Sequence, residues 1–136
     1  MNEMTCNLSV MVRADNRARA VHDPGAVLAK AALSAAKRLG LGNRQLGRIL
    51  GSSEASVSRL HRERALRLAG REAELAALFV RLFRSLDALV GGDEAKARAW
   101  FEAPNDHLGG IPAERVASVE GLVGVVQYLD AMRGKL

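Results

Sequence analysis

Residues 43–62 concentrate the side chains best able to hold an anion in a fixed geometry. Leu46-Gly47 and Leu50-Gly51 are followed, six residues on, by Val57 and then by Leu60. That spacing fits two short helices crossing at roughly 100° about a three- to four-residue turn. Gly47 leaves room for a close crossing, and Gly51 supplies the positive φ such a turn needs. Gly47 costs about 1 kcal/mol inside a helix, and close crossing is a reason to keep it. With Leu46, Leu50, Val57 and Leu60 facing inward, the second helix presents Ser53, Glu54, Ser56, Ser58, Arg59 and Arg62 outward. A helix so held enters a DNA major groove by its N-terminal part. Arg59 and Arg62 would reach guanine edges or phosphates, and Ser53 and Ser58 would reach phosphates or bases. Glu54 would accept from a cytosine amino group. Arg44 and Gln45 open the preceding helix, which crosses the backbone, so they would hold phosphates.

The charge pattern points to the same stretch. Within residues 36–71 nine cations (Lys37, Arg38, Arg44, Arg48, Arg59, Arg62, Arg64, Arg67, Arg71) face two acids, Glu54 and Glu63. The whole chain has 20 Lys+Arg, 16 of them Arg, against 15 Asp+Glu. Residues 1–90 carry +7 and residues 91–136 carry −2, so the acidic C-terminal part wants a different partner. Guanidinium forks bind phosphate or carboxylate in a bidentate way.

Other chemistries lack their residues. His22, His61 and His107 are far apart, with no Cys or carboxylate at ligand spacing, so no metal site is expected. Gly109-Gly110 is not followed by the Lys-Ser/Thr of a phosphate-binding loop. No Ser, Cys or His is arranged as a nucleophile with its base, so neither enzyme activity nor a cofactor is expected. The single cysteine, Cys6, rules out an internal disulfide framework, and a reducing cytoplasm is the natural home. No apolar run reaches 18 residues and no secretory core opens the chain, so no membrane partner is expected.

With 49% apolar and 26% charged residues, the 136-residue chain has the composition of a globular domain. Residues 1–23, with Arg13, Arg17 and Arg19, lack lasting periodicity and are expected to form a mobile arm. Only Asn7 to Val12 resembles a strand. Asp23-Pro24 then starts a helix that Gly40 stops, and a second helix runs Asn43 to Leu50, capped by Asn43. A third runs from Glu54 into the low sixties. Leu75, Leu78, Phe79, Leu82, Phe83, Leu86 and Leu89 form one stripe of a long helix that Gly91-Gly92 ends. Asp93 caps a short helix closed by Pro104, Pro112 opens another turn, and a last helix runs from about Glu120 to Met132. The expected fold is all-α: a helix-turn-helix bundle over residues 24–70, then a small helical module over 71–136.

Between residues 100 and 112 lies a compact, turn-rich loop with two adjacent aromatics, Trp100 and Phe101. These two either join the core or form an interface hot spot. Trp100…Pro104-Asn105…Leu108-Gly109-Gly110-Ile111-Pro112, followed by Gly121, Val125, Leu129 and Gly134, resembles the C-terminal toxin-binding domain of MbcA/ParS/Xre-type antitoxins. In that family an Xre-like helix-turn-helix precedes this domain, and both match here in order, over roughly residues 24–136. One position departs: Ala113 stands where a larger apolar residue is expected.

The resemblance implies a type II antitoxin. Such a protein binds and neutralises a cognate RES-domain toxin that consumes NAD, and represses its own operon by binding operator DNA. It forms a homodimer, commonly through the C-terminal region, within a larger toxin–antitoxin hetero-oligomer. Carried onto this chain, the resemblance assigns toxin binding and dimerisation to the module over 71–136, where Asn105, Leu108, Gly109 and Gly110 would shape the toxin-binding loop. The last helix and Arg133-Gly134-Lys135-Leu136 would face or plug the toxin. From the residues alone, Arg133 and Lys135 either enter an anion-binding cleft or complement the helix dipole. Two other readings fit the residues: a stand-alone phage-repressor-like regulator with a helical dimerisation domain, or a scaffold whose basic helices are solvated surface.

Overall fold

A computed structural model describes residues 23–63 and 66–135. The expected arm, with Asn7–Val12 and its three arginines, lies outside them, as do Cys6, His22 and Leu136. Among the described residues the chain is all-α, with seven helices and a single isolated β-bridge between Asn105 and Gly110.

Helix α1, Pro24–Arg38, begins where Asp23 Oδ1 accepts from the Gly25 amide at 2.9 Å, with Pro24 in the first turn. It ends in a left-handed Gly40 (φ 73°), and the Leu41 amide donates back to the Ala36 carbonyl at 2.8 Å. Helix α2 spans Asn43–Leu50 and α3 spans Glu54–Arg62. Helix α4, Gly70–Leu89, carries the long apolar stripe, and Glu72 lies in its first turn. Helix α5, Glu94–Glu102, is capped by Asp93, whose carboxylate accepts from the Lys96 amide at 3.1 Å. Helix α6 is the single turn Pro112–Arg115, and α7, Val119–Arg133, is capped by the Ser118 hydroxyl. Among these helices none is long and apolar enough to cross a membrane.

One boundary differs from the sequence expectation. Gly42, not Asn43, caps α2: it holds the extended cap conformation, and its amide donates to Gln45 Oε1 at 3.0 Å. The Gln45 side chain thus satisfies the cap residue's own amide, the half of a capping box that the third helical residue supplies.

Helix α4 is the mast of the fold. It packs along both α1 and α7, and its N-terminal part also meets α2. Phe79, Leu82 and Leu86 are fully buried along it, with Leu75, Val80 and Phe83 close behind. The face of α1 that joins this core is built of small residues, Ala29, Ala32, Ala35 and Ala36, so helix axes can approach while the phenylalanines fill the space between them. Leu122, Val125, Val126 and Leu129 of α7 and Phe101 of α5 complete the same cluster.

The short loops are held as closely as the helices. Gly121 lies so near the Arg115 carbonyl that a Cβ there would overlap its oxygen, whereas a Cβ on Gly124 would meet open space. Gly121→Ala therefore should lose about 1–3 kcal/mol of stability by overpacking. Gly124→Ala, one turn along the same helix, should gain roughly 0.5–1 kcal/mol from helix propensity. Chemical denaturation of the two variants checks both signs.

Candidate functional site

The turn between α2 and α3 explains both of its glycines. Gly51 adopts φ 69°, and the Ser52 amide donates to the Gly47 carbonyl at 2.8 Å. A Cβ on Gly47 would stand 2.7 Å from the Ser52 carbonyl oxygen. The close approach is thus made by the turn itself, folded back over α2, rather than by the body of α3. Leu46, Leu50 and Val57 are fully buried, and Leu60 packs half-buried against the same core.

On the outer side, Arg44, Gln45, Ser53, Glu54, Arg59 and Arg62 are exposed, while Ser58 is half-buried. Ser53 is engaged within the helix: its hydroxyl accepts from the Ser56 amide at 3.0 Å and donates to Ser56 Oγ at 2.9 Å. It caps α3, a role beside the nucleic-acid contact expected of it. Arg59 Nε lies 3.7 Å from Glu63 Oε1, an exposed pair of the kind worth little, so the guanidinium is free to exchange partners. Arg44 and Arg62 have no acidic partner among the described residues.

Arg67 is a residue that sequence reasoning passed over. It follows α3 in the loop and, with Ser52, Ser56 and Arg59, lines a shallow hollow of about 140 Å³. Its guanidinium also reaches Asp23 Oδ2 at 3.3 Å, and the Leu68 amide donates to the Gly25 carbonyl at 3.2 Å. The loop leaving α3 is thereby pinned to the start of α1, and a Cβ on Gly25 would stand 2.6 Å from the Leu68 carbonyl oxygen. Only the signal of a basic loop was available in sequence, because the end of α3 was its least defined boundary.

The C-terminal loop is as tightly made. Asn105 and Gly110 exchange backbone hydrogen bonds at 2.9 and 3.2 Å, and Asn105 Oδ1 accepts from the Leu108 amide at 3.2 Å. Gly109 takes φ 69°. Asn105 and Gly110 are half-buried and Gly109 is exposed, but the Leu108 side chain turns into the core at 9% exposure. Leu108 therefore anchors the loop and offers a partner little surface. Phe101 is fully buried, whereas Trp100 is half-buried and stacks on Tyr128 of α7 at 6.3 Å between ring centroids. His107 continues the stack on Tyr128 at 5.8 Å. Tyr128 lies off the apolar stripe of α7, so nothing in the periodicity marked it. Arg133, Gly134 and Lys135 are exposed at the end of α7, where Gly134 forms the cap.

Two joints connect the reader to this loop. Arg98 of α5 donates from Nε to the Arg38 carbonyl at 2.9 Å and from Nη2 to the Lys37 carbonyl at 3.1 Å, closing the C-terminus of α1. Arg38 lies 4.7 Å over the Phe83 ring and reaches Asp87 Oδ1 at 3.1 Å. Across a groove of about 350 Å³, Arg48 and Ile49 of α2 share a surface with Glu102, Ile111 and Glu114. Ala113 lines that groove too, and its small side chain helps keep it open.

Comparison with known families agrees with this arrangement. The model of the antitoxin Xre-like helix-turn-helix domain matches residues 18–81, and that of the antitoxin Xre/MbcA/ParS C-terminal toxin-binding domain matches residues 85–135. No curated protein matches the chain. A helix-turn-helix followed by a toxin-binding domain defines a two-part antitoxin, one member of a toxin–antitoxin pair. The chain belongs to the Xre/MbcA/ParS antitoxin family. The two matches meet inside α4, the helix on which both halves pack.

Gly47→Ala should tilt the turn and so misplace α3. We expect DNA binding to weaken by at least about tenfold, equivalent to 1.4 kcal/mol, while the C-terminal module keeps its fold. Fluorescence anisotropy on an operator fragment, alongside the near-ultraviolet signal of Trp100, checks the pair of outcomes.

Proposed function

We propose that this chain is a type II antitoxin that neutralises a RES-domain, NAD-consuming toxin by binding it and represses its own operon. Residues 24–70 read operator DNA, with Arg59, Arg62, Glu54 and Ser58 toward the bases and Arg44 and Gln45 on phosphates. Residues 71–136 hold the toxin and pair the chain into a homodimer, which enters a larger hetero-oligomer in the cytoplasm. It acts by occupying its partners, without turning over a substrate.

The observation that carries the DNA half is α3 itself. It is a capped helix whose inward side is anchored by Val57 and whose outward cations stand on a rigid turn. Rigid placement matters because a bidentate contact discriminates between bases only when its donors are held in register. The toxin half is supported by the closed Asn105–Gly110 loop and by the exposed cations at the end of α7.

Co-expression with the product of the adjacent reading frame tests the whole reading. That product alone should arrest growth and deplete NAD; this chain should restore growth and co-purify with it. A harmless neighbour that does not co-purify would leave a stand-alone regulator. Arg59→Ala should cost about 1–3 kcal/mol of operator affinity and leave neutralisation intact. Operator binding should also weaken by orders of magnitude between about 50 and 200 mM salt. Absence of any complex even at low salt would remove the repressor role.

A further inference from the structure

The long helix carries a second surface that neither the reader nor the Asn105–Gly110 loop uses. Ala77, Val80, Arg81 and Arg84 follow one another at i, i+3, i+4 and i+7 and so share one face of α4. With Leu28 of α1 and Arg133 of α7 they line an open groove of about 540 Å³. Ala77 is exposed and Leu28 half-buried, which gives the groove an apolar strip beside its polar residues, with Val80 buried beneath. Beside Leu28, Val27 is one of two large apolar side chains left exposed among the described residues.

The groove is also strongly unbalanced in charge. Its one acid is Asp130, which is already occupied: Oδ1 accepts from Ser85 Oγ at 2.8 Å, and Oδ2 pairs with the Arg81 guanidinium. Ser85 is the one fully buried polar side chain among the described residues, so this link between α4 and α7 is fixed. Arg84 and Arg133, both lining the groove, are then left without an acidic partner among the described residues.

We propose that this groove docks an acidic segment of the toxin, one that places a carboxylate between Arg84 and Arg133 and an apolar side chain against Leu28 and Ala77. The proposal rests on the antitoxin reading and deepens it. Guanidinium forks hold carboxylates in a bidentate way, and the apolar strip beside them accepts the side chain that such a segment carries next to its acid. A run of DNA phosphates would satisfy the arginines but gain nothing from the apolar wall. The groove is also continuous with the end of α7, inside the matched toxin-binding domain. Its other walls lie outside that match: Leu28, Ala77, Val80, Arg81 and Arg84 all precede residue 85. The toxin site thus extends across α4 onto α1, and one bound segment would grip both halves of the molecule.

The test uses the full chain and the purified product of the adjacent reading frame, with binding followed by biolayer interferometry at low and moderate salt. Arg84→Glu should weaken toxin binding at least about tenfold and flatten its salt dependence. Ala77→Gln, which narrows the groove without changing charge, should weaken it as well. Arg84 is exposed and makes no ion pair among the described residues, so melting temperature and operator affinity should stay at their starting values. Wild-type toxin affinity in both variants would overturn the proposal. So would a loss of operator affinity with toxin binding kept, or a fall in oligomer mass, since either would assign the groove to DNA or to a second copy of this chain. Should the unaltered chain fail to bind that product, the antitoxin reading itself fails, and the groove assignment falls with it.

Discussion

Everything in this molecule depends on the burial of α4. A 20-residue helix with Phe79, Leu82 and Leu86 wholly out of water cannot stand alone, and it has two partners to cover it, α1 and α7. Short helices of eight or nine residues are marginal by themselves, so α2, α3 and α5 exist only because they are packed against this frame or held to it by loops. The helix-turn-helix and the Asn105–Gly110 loop are therefore not two beads on a string. They are opposite dependents of one helix, and the two family matches meet inside it.

The same constraint explains where small residues and arginines fall. Four alanines on α1 let α4 approach, and Gly25 lets the Leu68 carbonyl close over the start of α1. Gly47 lets the Ser52 carbonyl fold back over α2. Arginines then close what the glycines bring near. Arg67 ties the loop after α3 to Asp23, and Arg98 covers the last carbonyls of α1. Arg38 bridges α1 to Phe83 and Asp87. Much of the basic charge between residues 36 and 71 is thus divided between holding the frame and facing outward.

Features set by local rules were legible in the sequence. The caps Asp23 and Asp93, the positive-φ Gly40 and Gly51, and the apolar stripes of α4 and α7 each announce themselves within a few residues. Features set by distant contacts were not. Tyr128 is one residue off its helix's stripe and acquires meaning only from Trp100 and His107, more than twenty residues away. Ser53 reads as a nucleic-acid contact in sequence, and its bonds to Ser56 add the role of helix cap, which a serine before a helix equally suggests. Leu108 lies in the Asn105–Gly110 loop but points inward, and no period within a loop of that length shows direction. The end of α3 was obscure for a related reason, since Glu63 breaks it by an extended conformation and no Gly or Pro marks the place.

The central claim is that one rigid frame presents DNA and toxin with separate faces. Amide hydrogen exchange on the full chain, with operator DNA and with the toxin added in turn, tests it most directly. The account predicts two footprints: slowed exchange over residues 43–62 with DNA, and over residues 103–111, the last turns of α7 and the groove face of α4 (residues 77–84) with toxin. A single shared footprint, or protection by DNA confined to the C-terminal half, would contradict it.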